Sequence, residues 1–576
     1  MDMGETPRTP AAASAQSQRQ RRALISVYDK AGLVELGKGL EAQGFEVYAT
    51  GSTAQRLLDA GVRARDVASL TGFPEILGGR VKTLHPAVFG AILARPNNAQ
   101  DLADMAAHGF VAFDLVVCNL YPFAAALAAQ AHDAELIEQI DIGGVSLLRA
   151  AAKNHEHVLV LADPLDYEGV LKSLEHGPFD LARRRDLAVK AFRLTSAYDA
   201  LIADALCARV PVAHDSAAAG RSQQPGAKEA ASPMCSRHRQ LVIEQVKDLR
   251  YGENPHQRAA LFRASGHDAC GAGGRPGATF DLTRVPQLGG KELSYNNYLD
   301  AEHALRLAAE LPQNACVIVK HNMPCGVGVA RTEHGSSAAS LEAFELAFAA
   351  DPVSPFGGVV QFTGTVCGRT ASRLGEIFLE IVAAPMFTPE ALTILTQKKN
   401  LRLLQIAPHA ARLETEVWTQ IQGGFLLQQA DAPAVLAAEA QDTEGRALGQ
   451  GVRSSLQLAW AVAKHVRSNA IVFADEHRTL AIAGGFTNRV DAMRRCTDLY
   501  RGFCERRRQE GVLEPLPFVV ASDGFFPFAD NMDVLEGLPV LAVIQPGGSV
   551  RDPEVLARAS QMGIPMVLTG ERHFKH

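Results

Sequence analysis

The chain has no Cys-x-x-Cys pair: its nine cysteines are scattered over 576 residues. That scatter argues against a structural zinc site and for a reducing, intracellular setting. There is no excess of positive charge. A net charge of -6 leaves no basic footprint for nucleic acid, so an anionic ligand must be held by local clusters and backbone amides. There is no long uninterrupted apolar run either. The most apolar long window, Phe110 to Ala131, contains Asp114, Asn119 and Pro122, which excludes a membrane span. The first 22 residues, rich in Ala, Ser, Gln and Arg, lack the apolar centre of a secretory signal. Asp2 and Glu5 count against an organelle transit peptide, so residues 1–22 are expected to form a disordered tail on a cytoplasmic protein. No clear sequence repeat is visible.

What is present is the composition of a globular protein, 47% apolar and 21% charged, at a length that calls for three or four domain-sized units. The N-terminal third alternates strands and helices. Ala23–Val27 reads as a buried strand, and Asp29 caps a helix whose apolar face is Leu33, Leu36 and Leu40. Gly44 ends that helix. A second strand, Glu46–Ala49, runs into Thr50-Gly51-Ser52-Thr53 and a short helix that stops at Gly61. Asp114–Cys118 and His157–Leu161 are further strands. This rhythm predicts an α/β fold with a doubly wound parallel sheet. Periodicity is lost from about Val212 to Arg237, and residues 213–237 read as a linker between a domain over 23–212 and another over 238–576. The second part is larger than one typical domain, which predicts two fused subdomains. Its strand-like runs are Cys316–Val319, Phe356–Phe362, Ala470–Phe473, Phe518–Ala521 and Val540–Ile544.

Several segments carry candidate chemistry. Thr50-Gly51-Ser52-Thr53 joins a strand to a helix, where free amides, hydroxyls and a flexible Gly make an anion site; Lys30, in the first strand–helix loop, adds a charge. The same residues also serve as ordinary helix caps. Gly78-Gly79-Arg80-Val81-Lys82-Thr83-Leu84-His85-Pro86 sets two cations and a His in a Gly-rich loop, a phosphate-binding composition, against the bland reading of a solvated basic loop. Asn119 and Tyr121 end a predicted strand and so face the ligand end of the sheet. Asp141-Ile142-Gly143-Gly144 starts a helix carrying Arg149, Lys153 and Asn154. Its Gly pair exposes amides for an oxyanion, and Asp141 is otherwise a helix cap. In the second part, four apolar residues, Cys316–Val319, suit a strand buried on both faces, as in a parallel sheet, and lead to Lys320-His321 before a Pro324-Cys325-Gly326 turn. A neighbouring Lys makes charging a His costlier, which leaves the imidazole able to accept a proton. The bland alternative is a strand ending in two solvated polar residues.

Taken together, these segments resemble the bifunctional 5-aminoimidazole-4-carboxamide ribonucleotide (AICAR) formyltransferase/IMP cyclohydrolase family of purine biosynthesis. Further matching runs are Leu249–Gln257, Gly290–Asn297, Ser354–Gly358, Arg467-Ser468-Asn469, Ser522–Phe528 and Arg572–His576, in the family's order from about Leu24 to His576. The resemblance implies a methylglyoxal-synthase-like (MGS-like) N-terminal domain and a transformylase of two fused cytidine-deaminase-like α/β subdomains. It implies formyl transfer from 10-formyltetrahydrofolate, as co-substrate and without a metal, to AICAR, followed by dehydrative closure of the formylated nucleotide (FAICAR) to IMP. By the same analogy His321 is the base for a poorly nucleophilic amine. Lys320 stabilises the oxyanion or protonates the departing folate nitrogen, and Asn469 holds His321 or the formyl oxygen. Arg250, Tyr251, Asn297, Glu380, Arg489, Arg572 and His576 are expected on the nucleotide side. Phe525, Pro527, Asn531 and the Phe356-Gly357 turn are expected on the folate side, where an aromatic wall suits a flat pterin. In the small domain Lys82, Tyr121, Asp141 and Lys153 are implied at the reacting centre, with Ile142 and Gly143 offering amides. Lys30, Thr50, Gly51, Ser52, Thr53, Arg80 and Thr83 are implied at the phosphate and ribose, with Asn119 among the substrate contacts. The family forms homodimers with shared transformylase sites, and the same is expected here, with small molecules rather than nucleic acid or membrane as partners.

Four positions depart from the family's usual residues: Tyr28 for Ser, Phe89 for His, Met323 for Asn and Phe486 for Gln. None is expected to be catalytic. A zinc deaminase needs a Pro-Cys-x-x-Cys pair, and here Pro324-Cys325 is followed by Gly328 at the second Cys position, which rejects deamination. An MGS-like fold also serves as an effector-binding module; Lys82, Tyr121, Asp141 and Lys153 disfavour that reading for the N-terminal half.

Overall fold

The computed structural model describes residues 20–177, 179–207, 243–264, 280–332, 338–410, 413, 416–436 and 442–576. The expected tail, apart from residues 20–22, and the expected linker at 213–237 lie outside the described residues. These residues form two compact units, one running to Glu244 with Ala264, the other comprising Gln245–Arg263 and the described residues from Phe280 on. Among the described residues no helix is long and apolar enough to cross a membrane.

The first unit is built on five strands, β1 (Arg21–Ser26), β2 (Phe45–Ala49), β3 (Ala64–Asp66), β4 (Leu115–Cys118) and β5 (Leu159–Leu161). Their order is β3-β2-β1-β4-β5, and every pair is parallel. Apolar residues fill both faces of these strands because helices cover the sheet on each side, and Leu24, Ile25, Val116 and Val117 are fully buried. The helix Leu33–Ala42 buries Leu33, Leu36 and Leu40, the stripe read from the sequence. The chain winds outward from β1 in one direction and returns through β4 in the other. The C-terminal ends of β1 and β4 therefore diverge into a crevice, where ligands sit in doubly wound sheets.

The pair β6 (Ile243–Leu249) and β7 (Ala259–Ala264) falls in the second unit over Gln245–Arg263, and that unit then builds two mixed sheets. The first contains β8 (Gln287–Gly289), β9 (Ala315–Lys320), β10 (Met323–Val329), β11 (Gly358–Phe362), β12 (Leu379–Ala384) and β13 (Arg402–Gln405), in the order β10-β9-β11-β12-β13-β8. A hairpin, β14 (Glu416–Ile421) and β15 (Gly424–Gln429), separates it in sequence from β16 (Ile471–Ala474), β17 (Thr479–Ala483), β18 (Phe518–Ser522), β19 (Val540–Gln545) and β20 (Met566–Leu568), in the order β17-β16-β18-β19-β20. The two sheets share one connectivity: an antiparallel hairpin whose first strand is antiparallel to the third, followed by two further parallel strands. A structural duplication is thus present although no sequence repeat betrays it. The helices Tyr295–Ala308 and Gln450–Lys464 bury their apolar faces in one core shared by both sheets, with Trp460 among its largest buried side chains.

The expectation that Cys316–Val319 lies in a parallel sheet is corrected. β9 is buried on both faces but antiparallel to both neighbours, β10 and β11. Helices cover both faces of this mixed sheet as they would a parallel one, so an apolar run does not reveal strand direction. Nor do Pro324-Cys325-Gly326 form the turn. The turn is His321-Asn322, and Pro324 to Gly326 lie within β10, where a bulge absorbs the proline.

Gly326 and Gly328 let the helix Ala339–Ala350 lie directly on β10. A Cβ at either position would stand 2.1 Å from a helix carbonyl, that of Ala347 or Ala343. Gly328→Ala is therefore expected to destabilise the second unit by about 1–3 kcal/mol, as overpacking of backbone does. Both tryptophans, Trp418 and Trp460, belong to this unit, so urea unfolding followed by tryptophan fluorescence reads the change. An unchanged midpoint would contradict the packing argument.

Candidate active sites

The crevice of the first unit is a cavity of about 700 Å³. It is lined from the loop after β1 by Ser26, Tyr28 and Lys30, and from the helix start after β2 by Thr50, Ser52 and Thr53. Arg80, Lys82 and Thr83 reach it from the Gly-rich loop, and Asn119 and Tyr121 from the end of β4. Asp141, Ile142 and Gly143 close it at the start of the helix Gly143–Lys153. Gly51 starts the helix Gly51–Asp59 but is not among the lining residues, and Lys153 ends its own helix as an exposed residue. Eleven helical residues put Lys153 roughly 15 Å from the Gly143 end that faces the cavity.

Local bonds fix these groups. Lys30 Nζ donates to the Thr53 hydroxyl at 3.0 Å and to the Val27 carbonyl, while Ser26 and Thr50 share a hydroxyl hydrogen bond of 3.0 Å. The Asn119 side chain accepts from the backbone amides of Tyr28 (2.5 Å) and Asp29 (3.0 Å) and donates to the Asp29 carbonyl at 3.0 Å, so it ties the β1 and β4 loops together. Arg80 is ion-paired with Glu138, a lining residue that no sequence motif marked. Asp141 Oδ1 accepts from the Gly144 amide at 2.7 Å. The Asp141 amide donates to Tyr198, whose hydroxyl in turn donates to the Gln139 carbonyl at 2.7 Å. Gly144 is required there, because a Cβ would lie 2.4 Å from Asp141 Oδ2. Burial pushes the Asp141 carboxyl up, against the pull of the neighbouring amides and of Lys82. Burial, and then the charge of Lys82, lower the Lys30 ammonium. Tyr28, one of the departures, stacks edge-on to Tyr121 with centroids 5.6 Å apart; Phe89, another, packs its ring against the core.

In the second unit the candidates gather around the β9–β10 turn. His321 and Asn322 are its two central residues, both left-handed (φ 52° and 62°). Lys320 Nζ donates to the Phe356 carbonyl at 2.5 Å, and Phe356, 62% exposed, leans on Phe378 with centroids 5.1 Å apart. Gly357 donates its amide to the Phe378 carbonyl at 2.7 Å. Glu380 pairs with the buried Arg402, and its charge reaches Asp300 beside the turn. Asn297 spends its side chain on a capping box with Ser294, while its neighbour Asn296 donates to Glu253 in the loop carrying Arg250 and Tyr251. Those two touch each other, Arg250 Nη2 donating to the Tyr251 hydroxyl at 3.1 Å.

A second cluster forms around Asp523, which lies in the matching run Ser522–Phe528 but carries no expected role there. Asn469 Oδ1 accepts from Arg489 at 2.7 Å, and its Nδ2 donates to the Phe486 carbonyl at 2.9 Å. Arg489 is buried and also bonds Ser522 and Asp523, so it braces Asn469 from within. The Lys575 amide donates to Ser468 Oγ at 3.1 Å and its Nζ to the His465 carbonyl at 3.1 Å. Burial, with Arg306, Arg467 and Lys464 nearby, lowers Lys575 to about 8. Arg572 stacks on Phe574 and His576 stands exposed beside it. Phe525 and Pro527 follow β18 half-buried; Asn531 is buried with its Oδ1 unpartnered. Met323 links the two clusters. Its sulfur accepts from the Arg467 amide at 3.4 Å, and its methyl crowds Gly484. Of the departures, Met323 acts through its sulfur, whereas the Phe486 carbonyl that Asn469 uses is backbone and independent of the side chain, and the Phe486 ring packs against the core of the second sheet.

A family model described as AICARFT/IMPCHase bienzyme matches residues 151–498, and one described as MGS-like domain matches residues 32–146. The chain is 42% identical over 560 residues to the bifunctional purine biosynthesis protein PurH of Halalkalibacterium halodurans, covering 97% of this chain and 100% of that protein. It is 44% identical over 563 residues to the protein of the same name from Chloroflexus aurantiacus, covering 97% and 99%. To that from Aquifex aeolicus it is 41% identical over 556 residues, covering 96% and 100%.

A carboxyl pushed up by burial destabilises the fold once it is ionised. Above its folded-state pKa the penalty is complete; below the ordinary carboxylate range both folded and unfolded states are protonated and it vanishes. Asp141→Asn keeps an acceptor for Gly144 and is expected to slow hydrogen exchange across β1 and β4 at pH 7. The difference should shrink as the pH falls through the raised folded-state pKa and vanish below about 4. Faster exchange in the variant at neutral pH would contradict the burial argument.

Proposed function

The chain belongs to the AICARFT/IMPCHase bienzyme family, and from that premise we propose how its two units divide two consecutive reactions. It is a bifunctional enzyme of purine biosynthesis that formylates AICAR and closes FAICAR to IMP. Ring closure belongs to residues 23–212 and formyl transfer to residues 238–576, with 10-formyltetrahydrofolate as the donor in a cytoplasmic setting.

The observation that carries the first assignment is the convergence of Lys30, Lys82, Tyr121 and Asp141 on one cavity at the switch point of a parallel sheet. Lys30, Ser52, Thr53 and the amides at the Gly51 helix start take the phosphate. Arg80 and Thr83 reach the ribose, Arg80 by leaving Glu138. The carboxamide nitrogen attacks the formyl carbon within one molecule, so the walls act chiefly by positioning. The Gly143 amide and Lys82 stabilise the oxyanion, and Asp141, with its raised carboxyl, shuttles the proton as water leaves. Lys153 stands outside this cavity and is given no part in the reaction there.

Formyl transfer is assigned to the β9–β10 turn. The 5-amino nitrogen attacks the formyl carbon, His321 takes its proton, and Lys320 supports the oxyanion and protonates N10 of the folate as the C–N bond breaks. Asn469, braced by Arg489, holds the formyl oxygen or His321. Arg250, Tyr251, Asn297, Glu380, Arg572 and His576 border the nucleotide. Phe356-Gly357, Phe525, Pro527 and Asn531 border the pterin, and the exposed Phe356 ring and the unpartnered Asn531 Oδ1 support that reading. His321, Arg572 and His576 are exposed, which leaves room for a second copy, and a homodimer whose subunits complete one another's transformylase sites is part of this proposal.

His321→Ala is expected to lower formyl transfer by about 10²–10⁴ and to leave IMP formation from FAICAR intact. Lys82→Ala is expected to do the reverse. Separate assays with AICAR plus 10-formyltetrahydrofolate and with FAICAR alone read both. A variant in one unit that stops both reactions, while the chain remains folded, would contradict the division.

A further inference from the structure

Asp300 belongs to no motif, yet it sits at the base of the turn that carries His321. It lies in the second turn of the helix Tyr295–Ala308, half-buried, and its Oδ1 accepts the Asn322 amide at 2.7 Å. A two-residue hairpin turn with both φ values positive favours Gly and Asn; a His there adopts the left-handed region at a cost. The Asp300 bond ties that turn to a rigid helix. The ionisable groups facing Asp300 are His321 and Lys320, both attractive, and Glu380, repulsive. Cys325 on β10 also faces it, with Asp351 beyond. Burial pushes the Asp300 carboxyl up, and the Asn322 amide, His321 and Lys320 pull it back.

We propose that Asp300 is a positioning residue for formyl transfer: it fixes the His321 turn and presents negative charge to the imidazole as that ring takes the proton of the attacking amine. The proposal rests on the reading of this unit as the transformylase. Asp300 exchanges no proton itself. The proton passes from the amine to His321, and the charge that appears on the ring meets the Asp300 carboxyl, held in place by the Asn322 amide.

Asp300→Asn separates the two parts of the role in the full chain, because it keeps an acceptor for the Asn322 amide and removes the charge; Asp300→Ala removes both. With AICAR and 10-formyltetrahydrofolate, Asp300→Asn is expected to lower kcat at least about tenfold, with KM changed far less. The acidic limb of its kcat/KM profile is expected to move to lower pH, since a carboxylate beside an imidazole favours its charged form. Ring closure of FAICAR should be unchanged, which reports an intact fold elsewhere, and Asp300→Glu should recover part of the rate. An Asp300→Asn enzyme with the parent kcat and pH profile would overturn the proposal and leave Asp300 as a support for the turn alone. His321→Ala, assayed alongside, keeps the two failures apart: formyl transfer that survives it would overturn the transformylase reading itself.

Discussion

A buried ion pair, Arg489 with Asp523, holds the second unit's site together. Asp523 is fully buried and Arg489 6% exposed. The carboxylate also takes the Ser468 hydroxyl at 2.5 Å and the Ala470 amide at 3.0 Å, and its carbonyl takes the His573 amide at 3.0 Å. The donors arrive from three elements: Arg489 from the long helix Arg489–Gln509, Ser468 and Ala470 from the loop before β16, and His573 from the C-terminal segment. Charges removed from water are tolerated when their remaining lone pairs are filled, as here, and removing one partner of such a pair costs about 3–5 kcal/mol. Asn469 is oriented by Arg489 together with the Phe486 carbonyl, and Arg489 is held by Asp523 together with Ser522. Lys575 locks the same loop from the outside. The C-terminal segment is therefore part of the wall of this site.

The two units meet the problem of binding an anionic nucleotide on a chain of net charge -6 in different ways. The first uses a crevice that its parallel topology provides, with helix-start amides and a few cations whose charge is partly answered by Glu138 and Asp141. The second presents its reactive pair on a hairpin turn, open to solvent on one side. A walled crevice suits an intramolecular closure that needs only one substrate held in shape. An open turn, flanked by an exposed aromatic pair, suits a reaction in which two substrates must meet.

Much of the first unit is legible in the sequence. Apolar runs mark β1, β2 and β4, the Leu33-Leu36-Leu40 stripe marks its helix, and the loop residues that follow those strands are the ones that line the cavity. Gly51 and Lys153 are exceptions; Lys153 ends a helix whose other end faces the cavity, a separation that spacing in the chain does not show. In the second unit the run Cys316–Val319 announces a buried strand but not its direction, and Pro324-Cys325-Gly326 resembles a turn while the actual turn is His321-Asn322. Asp300, Glu138 and Tyr198 belong to no local pattern because each acts across a long gap in sequence: 22 residues between Asp300 and Asn322, 57 between Tyr198 and Asp141. An isolated Asp or Tyr carries no local pattern, and only the fold gives it a partner. The duplicated sheets escaped for a related reason, since topology can be kept while the side chains that fill it are exchanged.

The account stands on the claim that the β9–β10 turn is where the amine of the nucleotide is deprotonated. A crystal structure of the full chain with AICAR and a non-transferring analogue of the formyl donor tests it most directly. The account predicts the 5-amino nitrogen within about 2.6–3.2 Å of the His321 ring or one water away, with the analogue's pterin against an aromatic wall. A nucleotide bound with its amine turned away from His321 and Lys320, and with the folate elsewhere, would contradict it.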